Sequence, residues 1–164
     1  MKTIIAGTDF TPSSVNACKY AALLAQKLNC KLTIFNMFDA PVIHSNIGLY
    51  GITYSSTRKS TATKTLKLVT QLSKLFPKVQ ITSFITDNSF KSELEDFIVE
   101  HQVEAAVMGL EAKNRISRFL YGSHGVSIAG KIETPVIIVP ENYKKHKLSK
   151  VLLAVNNTEK LYKS

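Results

Sequence analysis

The chain alternates short apolar runs with segments whose apolar residues recur at helical spacing. The runs are typical of buried strands and cover residues 2–8, 31–38, 103–109 and 134–140, and residues 79–86 alternate like a strand. Between them the spacing predicts helices through Leu28, around 66–76, around 90–98 and over roughly 122–132. Thr11 is placed to cap the first helix, and Pro12 suits its first turn.

This order of elements predicts an α/β fold, because strands that alternate with helices form a parallel sheet. With right-handed crossovers we expect one doubly wound five-stranded sheet in the order 3-2-1-4-5, with helices on both faces. Ligands bind such sheets beyond the carboxyl ends of the strands, where the strand order reverses. Here that switch point lies between strands 1 and 4, which end near Asp9 and Gly109.

Residues 39–59 interrupt this regularity. They contain glycines, serines and tyrosines without clear periodicity, so we expect a long mobile connection. Loops of this length are uncommon in compact domains and are often functional or disordered.

Length and charge refine the picture. A chain of 164 residues suits one domain, which we place at 1–141. The net charge of +9 divides into +4 for residues 1–142 and +5 for residues 143–164. Of the 21 basic residues, 18 are lysine. Because arginine is the side chain that usually recognises base edges, we expect no sequence-specific nucleic-acid binding.

Several classes of protein do not fit the sequence. No apolar run is long enough to cross a bilayer, and Asp9 comes too early for a signal-peptide core, so we expect a cytoplasmic protein without membrane contact. Cys18 and Cys30 are expected to be buried and reduced. The four histidines lack the spacing of metal ligands, so no metal held by protein groups alone is expected.

The tail repeats part of the beginning. KVLLAVNNTE at 150–159 has the apolar pattern of KTIIAGTDFT at 2–11. Residues 142–164 are therefore interpreted as a basic linker followed by a possible first strand of a second copy, with chance similarity as the alternative.

The stretch VMGLEAKNRISRFLYGSHG, at 107–125, raises the possibility of a phosphate site. Gly109 ends a strand, so its backbone can approach a ligand closely, and Gly122 with Ser123 begins the next predicted helix. A purely structural role for these glycines is the alternative. The neighbouring Gly125, Gly130 and Lys131 resemble a Walker A loop, but Ile132 replaces the required hydroxyl and Pro135 leaves no room for the helix.

Residues 1–140 resemble a universal stress protein domain. The signature of that family is glycine, two residues, glycine, nine residues, glycine, then serine or threonine. Gly109, Gly122 and Ser123 match it, whereas Ala112 stands in the place of the second glycine. GTDFTPSS and the closing GSHGVSIAGKIETPVIIVP are also similar to the family.

The resemblance implies binding of ATP, with Mg²⁺ if it is bound, or of another adenine nucleotide. The phosphates would lie at Gly109, Gly122 and Ser123, beside Ala112. Asp9 would accept a hydrogen bond from the ribose or the adenine, and Met37 would supply apolar contact unless it only packs in its strand. The family also implies a homodimer, often through the last strand, and tandem copies.

Ala112 is the departure from the family pattern that matters for function. Its methyl group would obstruct a phosphate oxygen or strain the loop, and Lys113, Arg115 and Arg118 would either compensate as nearby cations or form a solvated surface. The first hypothesis is therefore a nucleotide-binding, stress-response regulatory domain, and the alternative is a nucleotide-free dimerising interaction module.

An enzyme is not expected, because no carboxylate pair or serine–histidine arrangement accompanies the glycines. Slow ATP hydrolysis stays open. The related adenine-nucleotide α-hydrolases carry an SGGxDS loop after strand 1, which GTDFTPSS lacks.

Overall fold

From residue 2 to residue 110, strands and helices alternate as the hydrophobic pattern predicts. The computed structural model describes residues 2–38, 47–87, 90–110 and 134–143. In chain order the elements are β1 (Thr3–Gly7), α1 (Pro12–Leu28), β2 (Lys31–Met37), α2 (Ile47–Leu75), β3 (Ile81–Thr86), α3 (Phe90–His101), β4 (Val103–Leu110) and β5 (Val136–Pro140). The predicted helix at 122–132 and the tail from residue 144 onward lie outside the described residues, so the proposed repeat stays a prediction.

All five strands form one parallel sheet in the order β3-β2-β1-β4-β5, which confirms the predicted topology. In the register of β1, Gly7 lies opposite Phe35 of β2, and Ala6 lies opposite Val107 of β4. The carboxyl ends of β1, β2 and β4 therefore meet at the same edge of the sheet.

Helices α1 and α2 cover one face of this sheet. Their inner side chains pack against Ile4, Ala6, Leu32, Ile34 and Val107. Small residues carry α1 close to the strands, because four of its alanines have no exposed surface: Ala17, Ala21, Ala22 and Ala25. This close approach fixes the position of the N-terminus of α1 relative to β4.

Helix α3 covers the other face through an aromatic cluster. Phe35 of β2 stacks on Phe84 of β3 with ring centroids 5.1 Å apart, and Phe97 of α3 meets Phe35 edge-on at 6.0 Å. Ile5, Ala106 and Met108 complete the buried part of this layer.

From residue 47 onward, the connection expected at 39–59 is helical instead. Helix α2 already begins at Ile47 and runs for 29 residues, about 44 Å at about 1.5 Å per residue. Its inner face was hidden from the hydrophobic pattern because threonines take core positions there. Thr61 and Thr65 are buried, and the hydroxyl of Thr65 donates to the Thr61 carbonyl oxygen at 2.9 Å.

Both cysteines are buried and form no disulfide, as predicted. Burial raises the pKa of the Cys18 thiol to about 12, so the thiol stays protonated at neutral pH. Among the residues that the structure describes, no helix is long and apolar enough to span a membrane, and no three metal-ligating side chains cluster.

Candidate functional site

The carboxyl edge of β1 and β4 brings together two of the predicted site residues. Asp9 follows β1 by two residues, and Gly109 is the second-last residue of β4. Since Ala6 and Val107 are register partners, both residues lie at the edge where α1 begins. The structure therefore places Asp9 and Gly109 at the switch point of the sheet, as the topology predicts.

Asp9 is held in place by the cap of α1. Its Oδ1 accepts a hydrogen bond from the Thr11 backbone N–H at 3.1 Å and another from the Thr11 hydroxyl at 2.6 Å. The same Thr11 oxygen accepts from the Ser14 N–H at 3.3 Å, which caps the helix. The carboxylate of Asp9 is thus oriented before any ligand arrives.

The charge of Asp9 is stabilised by these contacts. Partial burial by itself raises the pKa of the carboxyl group, but hydrogen bonds from Thr11 and Ser14 together lower the pKa below its ordinary value. Asp9 is also half-exposed. The site therefore offers an ionised, accessible hydrogen-bond acceptor at neutral pH.

Thr8 connects the end of β1 to α1 and β2 by hydrogen bonds. Its hydroxyl lies 3.1 Å from the Ser14 hydroxyl and accepts from the Phe10 N–H at 3.0 Å. Its carbonyl oxygen accepts from the Asn36 side-chain amide at 2.6 Å. These bonds hold Phe10 in the left-handed region, at φ 64°, which turns the chain sharply around Asp9.

Asn36 itself was missed by the sequence analysis. It is 2% exposed, and its Oδ1 is buried without a hydrogen-bond partner in the part of the chain that the structure describes. Because the amide nitrogen is engaged by Thr8, the oxygen has a fixed orientation. Only its position next to Met37, near the end of strand 2, could have marked Asn36 from the sequence.

Gly109 packs closely against the start of α1. A Cβ atom at this position would lie 2.5 Å from the Ser13 carbonyl carbon and 2.7 Å from the Ser14 nitrogen. No described glycine has a positive φ, so conformational freedom is not the reason for glycine here. Gly109 lets the first turn of α1 pack directly on β4, and its role in ligand approach stays a prediction.

The remaining predicted residues are placed less completely. Met37 is the last residue of β2 and lies opposite Thr86 of β3, so its backbone reaches the same edge. Ala112, Gly122 and Ser123 lie outside the described residues, as do Lys113, Arg115 and Arg118. The phosphate end of the site therefore stays a prediction from the sequence.

The N-terminal half of α2 contributes side chains that the sequence analysis did not identify. The Tyr54 ring lies 5.6 Å from the Phe38 ring, and its hydroxyl donates to Asp87. Further along, the Lys64 ammonium lies 5.8 Å from the centre of the Phe10 ring. Helix α2 thus stands beside the carboxyl edge, where the sequence pattern indicated only a loop.

A separate cavity of about 610 Å³ opens at the other end of the sheet. It lies between the last turn of α3 and the first residues of β1, β2 and β3, and its polar lining includes Thr3, Thr33, Thr82 and His101. Because it lies at the amino ends of the strands, it does not belong to the site around Asp9.

Asp9→Asn is expected to lower stability at neutral pH. The folded-state pKa of Asp9 is lowered, so the charged form stabilises the fold above the unfolded pKa, and this contribution is lost as the pH falls through the folded pKa. The difference in unfolding free energy between the two proteins should therefore shrink between pH 7 and pH 3, as urea denaturation at both values would measure.

Asp96→Asn is the matched control for that measurement, because Asp96 is exposed on α3 and forms no described hydrogen bond with the α1 cap. A stability difference for Asp9→Asn that stays constant between pH 7 and pH 3 would contradict the role given to the Thr11 and Ser14 contacts.

Comparison with known proteins agrees with this architecture. A family model described as the universal stress protein family matches residues 1–140. Universal stress protein UspA from Lactobacillus plantarum is similar in structure, with a TM-score of 0.67 and 16% identity over 84% of this chain and 97% of that one. Among curated protein sequences, none matches significantly.

Two further similar structures were solved with nucleotides. A universal stress protein in complex with cAMP has a TM-score of 0.57 and 20% identity over 84% of this chain and 96% of that chain. The universal stress protein from Archaeoglobus fulgidus in complex with dAMP has a TM-score of 0.52 and 13% identity over 85% of this chain and 97% of that chain. At these identities the likeness shows the fold, whereas the family model spans most of the sequence: the chain belongs to the universal stress protein family.

Proposed function

We propose that this chain binds an adenine nucleotide at the carboxyl edge of β1 and β4 and acts as a stress-response regulatory domain. The observation that carries the proposal is Asp9, an ionised and half-exposed carboxylate fixed by Thr11 at the switch point. Membership of a family with structures in complex with cAMP and dAMP supports the choice of ligand.

Asp9 suits the nucleoside half of such a ligand. A carboxylate accepts hydrogen bonds and donates none, so it would pair with a ribose hydroxyl or with the adenine amino group. Because Thr11 already fixes the side chain, little rotamer entropy would be lost on binding. The backbone at Met37 would border the same nucleoside from the neighbouring strand.

The phosphates would lie toward the segment after β4. Gly122 and Ser123 at the start of the predicted helix would supply N–H groups and a hydroxyl, and Mg²⁺ would accompany the phosphates of ATP. Gly109 would support this end indirectly, because it allows α1 to pack against β4. The methyl group of Ala112 would weaken the phosphate contacts.

Efficient turnover is not part of the proposal. The lowered pKa of Asp9 keeps the group charged, which suits an acceptor in binding, whereas a general base works best with a pKa near the working pH. A slow hydrolysis of bound ATP is compatible with this view.

Calorimetric titration tests the proposal after copurified nucleotide has been removed and identified. ATP, AMP and cAMP should bind more tightly than GTP, and Asp9→Asn should weaken binding at least tenfold, as expected for loss of a charge-assisted hydrogen bond. Asp96→Asn, on the surface of α3, should leave affinity unchanged. No binding of ATP, AMP or cAMP at millimolar concentration would refute the proposal.

The second candidate function is a nucleotide-free dimerising interaction module. Ala112, in place of a family glycine, is the feature that favours it. Within the described residues β5 is an edge strand on which Ile138 is 40% exposed, and it offers a surface for pairing. A homodimer in sedimentation experiments together with failure to bind ATP would favour this candidate. Ala112→Gly would then show whether one methyl group closes the site.

A further inference from the structure

The two layers of the fold carry opposite charge. Neither α1 nor α2, which cover one face of the sheet, contains an aspartate or a glutamate. Helix α3, on the other face, contains four acidic residues and one lysine. The charge of the described body is therefore segregated by layer, which the total of +9 does not reveal.

The cations of α2 lie on its outer surface. Its five basic residues, Arg58, Lys59, Lys64, Lys67 and Lys74, are all exposed. At about 100° per residue, Lys59, Lys67 and Lys74 fall within one stripe on the side away from buried Leu68 and Leu72. We call this stripe the basic face of α2. It extends over about 22 Å of helix, from residue 59 to residue 74.

This arrangement costs helix stability. Without carboxylates, α2 can form none of the Glu–Lys pairs at i, i+4 that stabilise exposed helices, and its first turn has no acidic residue to complement the helix dipole. Lys59, Lys67 and Lys74 form no ion pair within the residues described. Because no carboxylate of the helix neutralises these lysines, their positive charge can attract an anionic partner.

The residues between the lysines indicate the kind of partner. Ser60 shares the stripe and is exposed, and such a hydroxyl donates hydrogen bonds to phosphate oxygens. The hydroxyls of Thr63 and Thr70, also exposed, donate within the helix to the carbonyl oxygens of Lys59 and Leu66. Leu66, which is 66% exposed, is the large apolar side chain beside them. A helix that inserts into an anionic membrane needs a broader apolar face, so a membrane is the less suitable polyanion.

We propose that the basic face of α2 binds the phosphodiester backbone of a nucleic acid without reading its sequence. Lysine suits this task because it contacts phosphate as a point charge, whereas base-edge recognition favours arginine. The expected absence of sequence-specific recognition is consistent with this proposal. It is also independent of the nucleotide site, since Lys59, Lys67 and Lys74 lie on the outside of the helix layer.

Fluorescence anisotropy with the full chain tests the proposal, using a labelled 20-nucleotide single-stranded RNA and a 20-base-pair DNA duplex. With about three phosphate contacts, the logarithm of the association constant on duplex DNA should fall against the logarithm of salt concentration with a slope of about −3. The triple variant Lys59→Gln, Lys67→Gln, Lys74→Gln should bind at least tenfold more weakly at 50 mM salt. At this salt concentration, counterion release contributes about 15-fold in affinity for each phosphate contact. The RNA and DNA arms show which nucleic acid is preferred.

Three controls make the result decisive. Lys144→Gln, Lys145→Gln, Lys147→Gln removes the same charge from the tail and should change affinity less than threefold. The triple variant Lys59→Arg, Lys67→Arg, Lys74→Arg keeps the charge and should retain binding. If the glutamine triple does not fold, Lys67→Gln alone takes its place and should give an intermediate loss of affinity. An equal loss in the tail variant, no binding at 50 mM salt, or tighter binding to vesicles of phosphatidylcholine and phosphatidylserine would each overturn the proposal.

Discussion

Gly109→Val is expected to prevent stable folding, and Gly109→Ala is expected to lower the free energy of unfolding by about 3 kcal/mol. A Cβ atom at this position would lie 2.5 Å from the carbonyl carbon and 2.6 Å from the carbonyl oxygen of Ser13. Both atoms belong to the backbone, so no side-chain rotation relieves the clash. Helix α1 would have to move away from β4 and separate the core that its alanines form.

Urea denaturation of Gly109→Ala and of a matched pair of variants would measure this effect. Leu110→Val, at the half-buried end of the same strand, should cost less than about 1.5 kcal/mol. Ser13→Gly combined with Gly109→Ala should give no rescue, since the clash involves backbone atoms. A Gly109→Ala protein as stable as wild type would show that α1 does not pack on β4 as described.

This result bears on how the site is tested. A Gly109→Val protein that fails to bind nucleotide would be explained by loss of the helix–strand contact, without any contact between Gly109 and phosphate. Asp9→Asn is the cleaner probe of binding, because it keeps the size of the side chain while it removes the charge. Loss of binding in Asp9→Asn with retained folding would assign a direct role to the carboxylate.

The topology of the sheet could be predicted from the sequence because strand patterns alternate with helical spacing along the chain. Both faces of a parallel sheet are covered, so the runs at 31–38 and 103–109 are apolar without strict alternation. Right-handed crossovers then leave few possible orders. The convergence of Asp9 and Gly109 follows from that order alone, and their placement needed no family resemblance.

The part of α2 before Leu66 could not be predicted in the same way. Its inner face uses Thr61 and Thr65 at buried positions, and threonine does not register as apolar in a hydrophobic pattern. Tertiary packing overrides the weak helix propensity of these residues, and Thr65 satisfies its hydroxyl within the helix. As a result, the sequence did not predict that Tyr54 lies on a helix beside the carboxyl edge.

The reason for glycine at position 109 was also hidden from the sequence. A glycine at the end of a strand is compatible with ligand approach, positive φ or close helix packing, and only coordinates distinguish the three. At Gly109 the short distance to Ser13 shows close helix packing, while ligand approach stays a prediction. The buried oxygen of Asn36 likewise emerges only when the bond to Thr8 is seen.

Phe35→Ala is expected to lower the free energy of unfolding by about 4 kcal/mol. Phe35 has no exposed surface, and its ring contacts both Phe84 and Phe97 at centroid distances of 5.1 and 6.0 Å. Its removal would leave a cavity between β2, β3 and α3, because the strands on either side are held in register by the sheet. Thermal and urea denaturation would measure the loss.

Phe35→Leu is the informative companion, because it keeps most of the buried volume and should cost less than about 1.5 kcal/mol. The aromatic cluster lies on the α3 face, whereas Asp9 is held by α1 on the other face. Phe35→Leu should therefore retain the nucleotide affinity of wild type. A loss of unfolding free energy below about 2 kcal/mol for Phe35→Ala would show that α3 moves toward the sheet and closes the cavity. The α3 layer would then be more loosely packed than the α1 layer that positions the site.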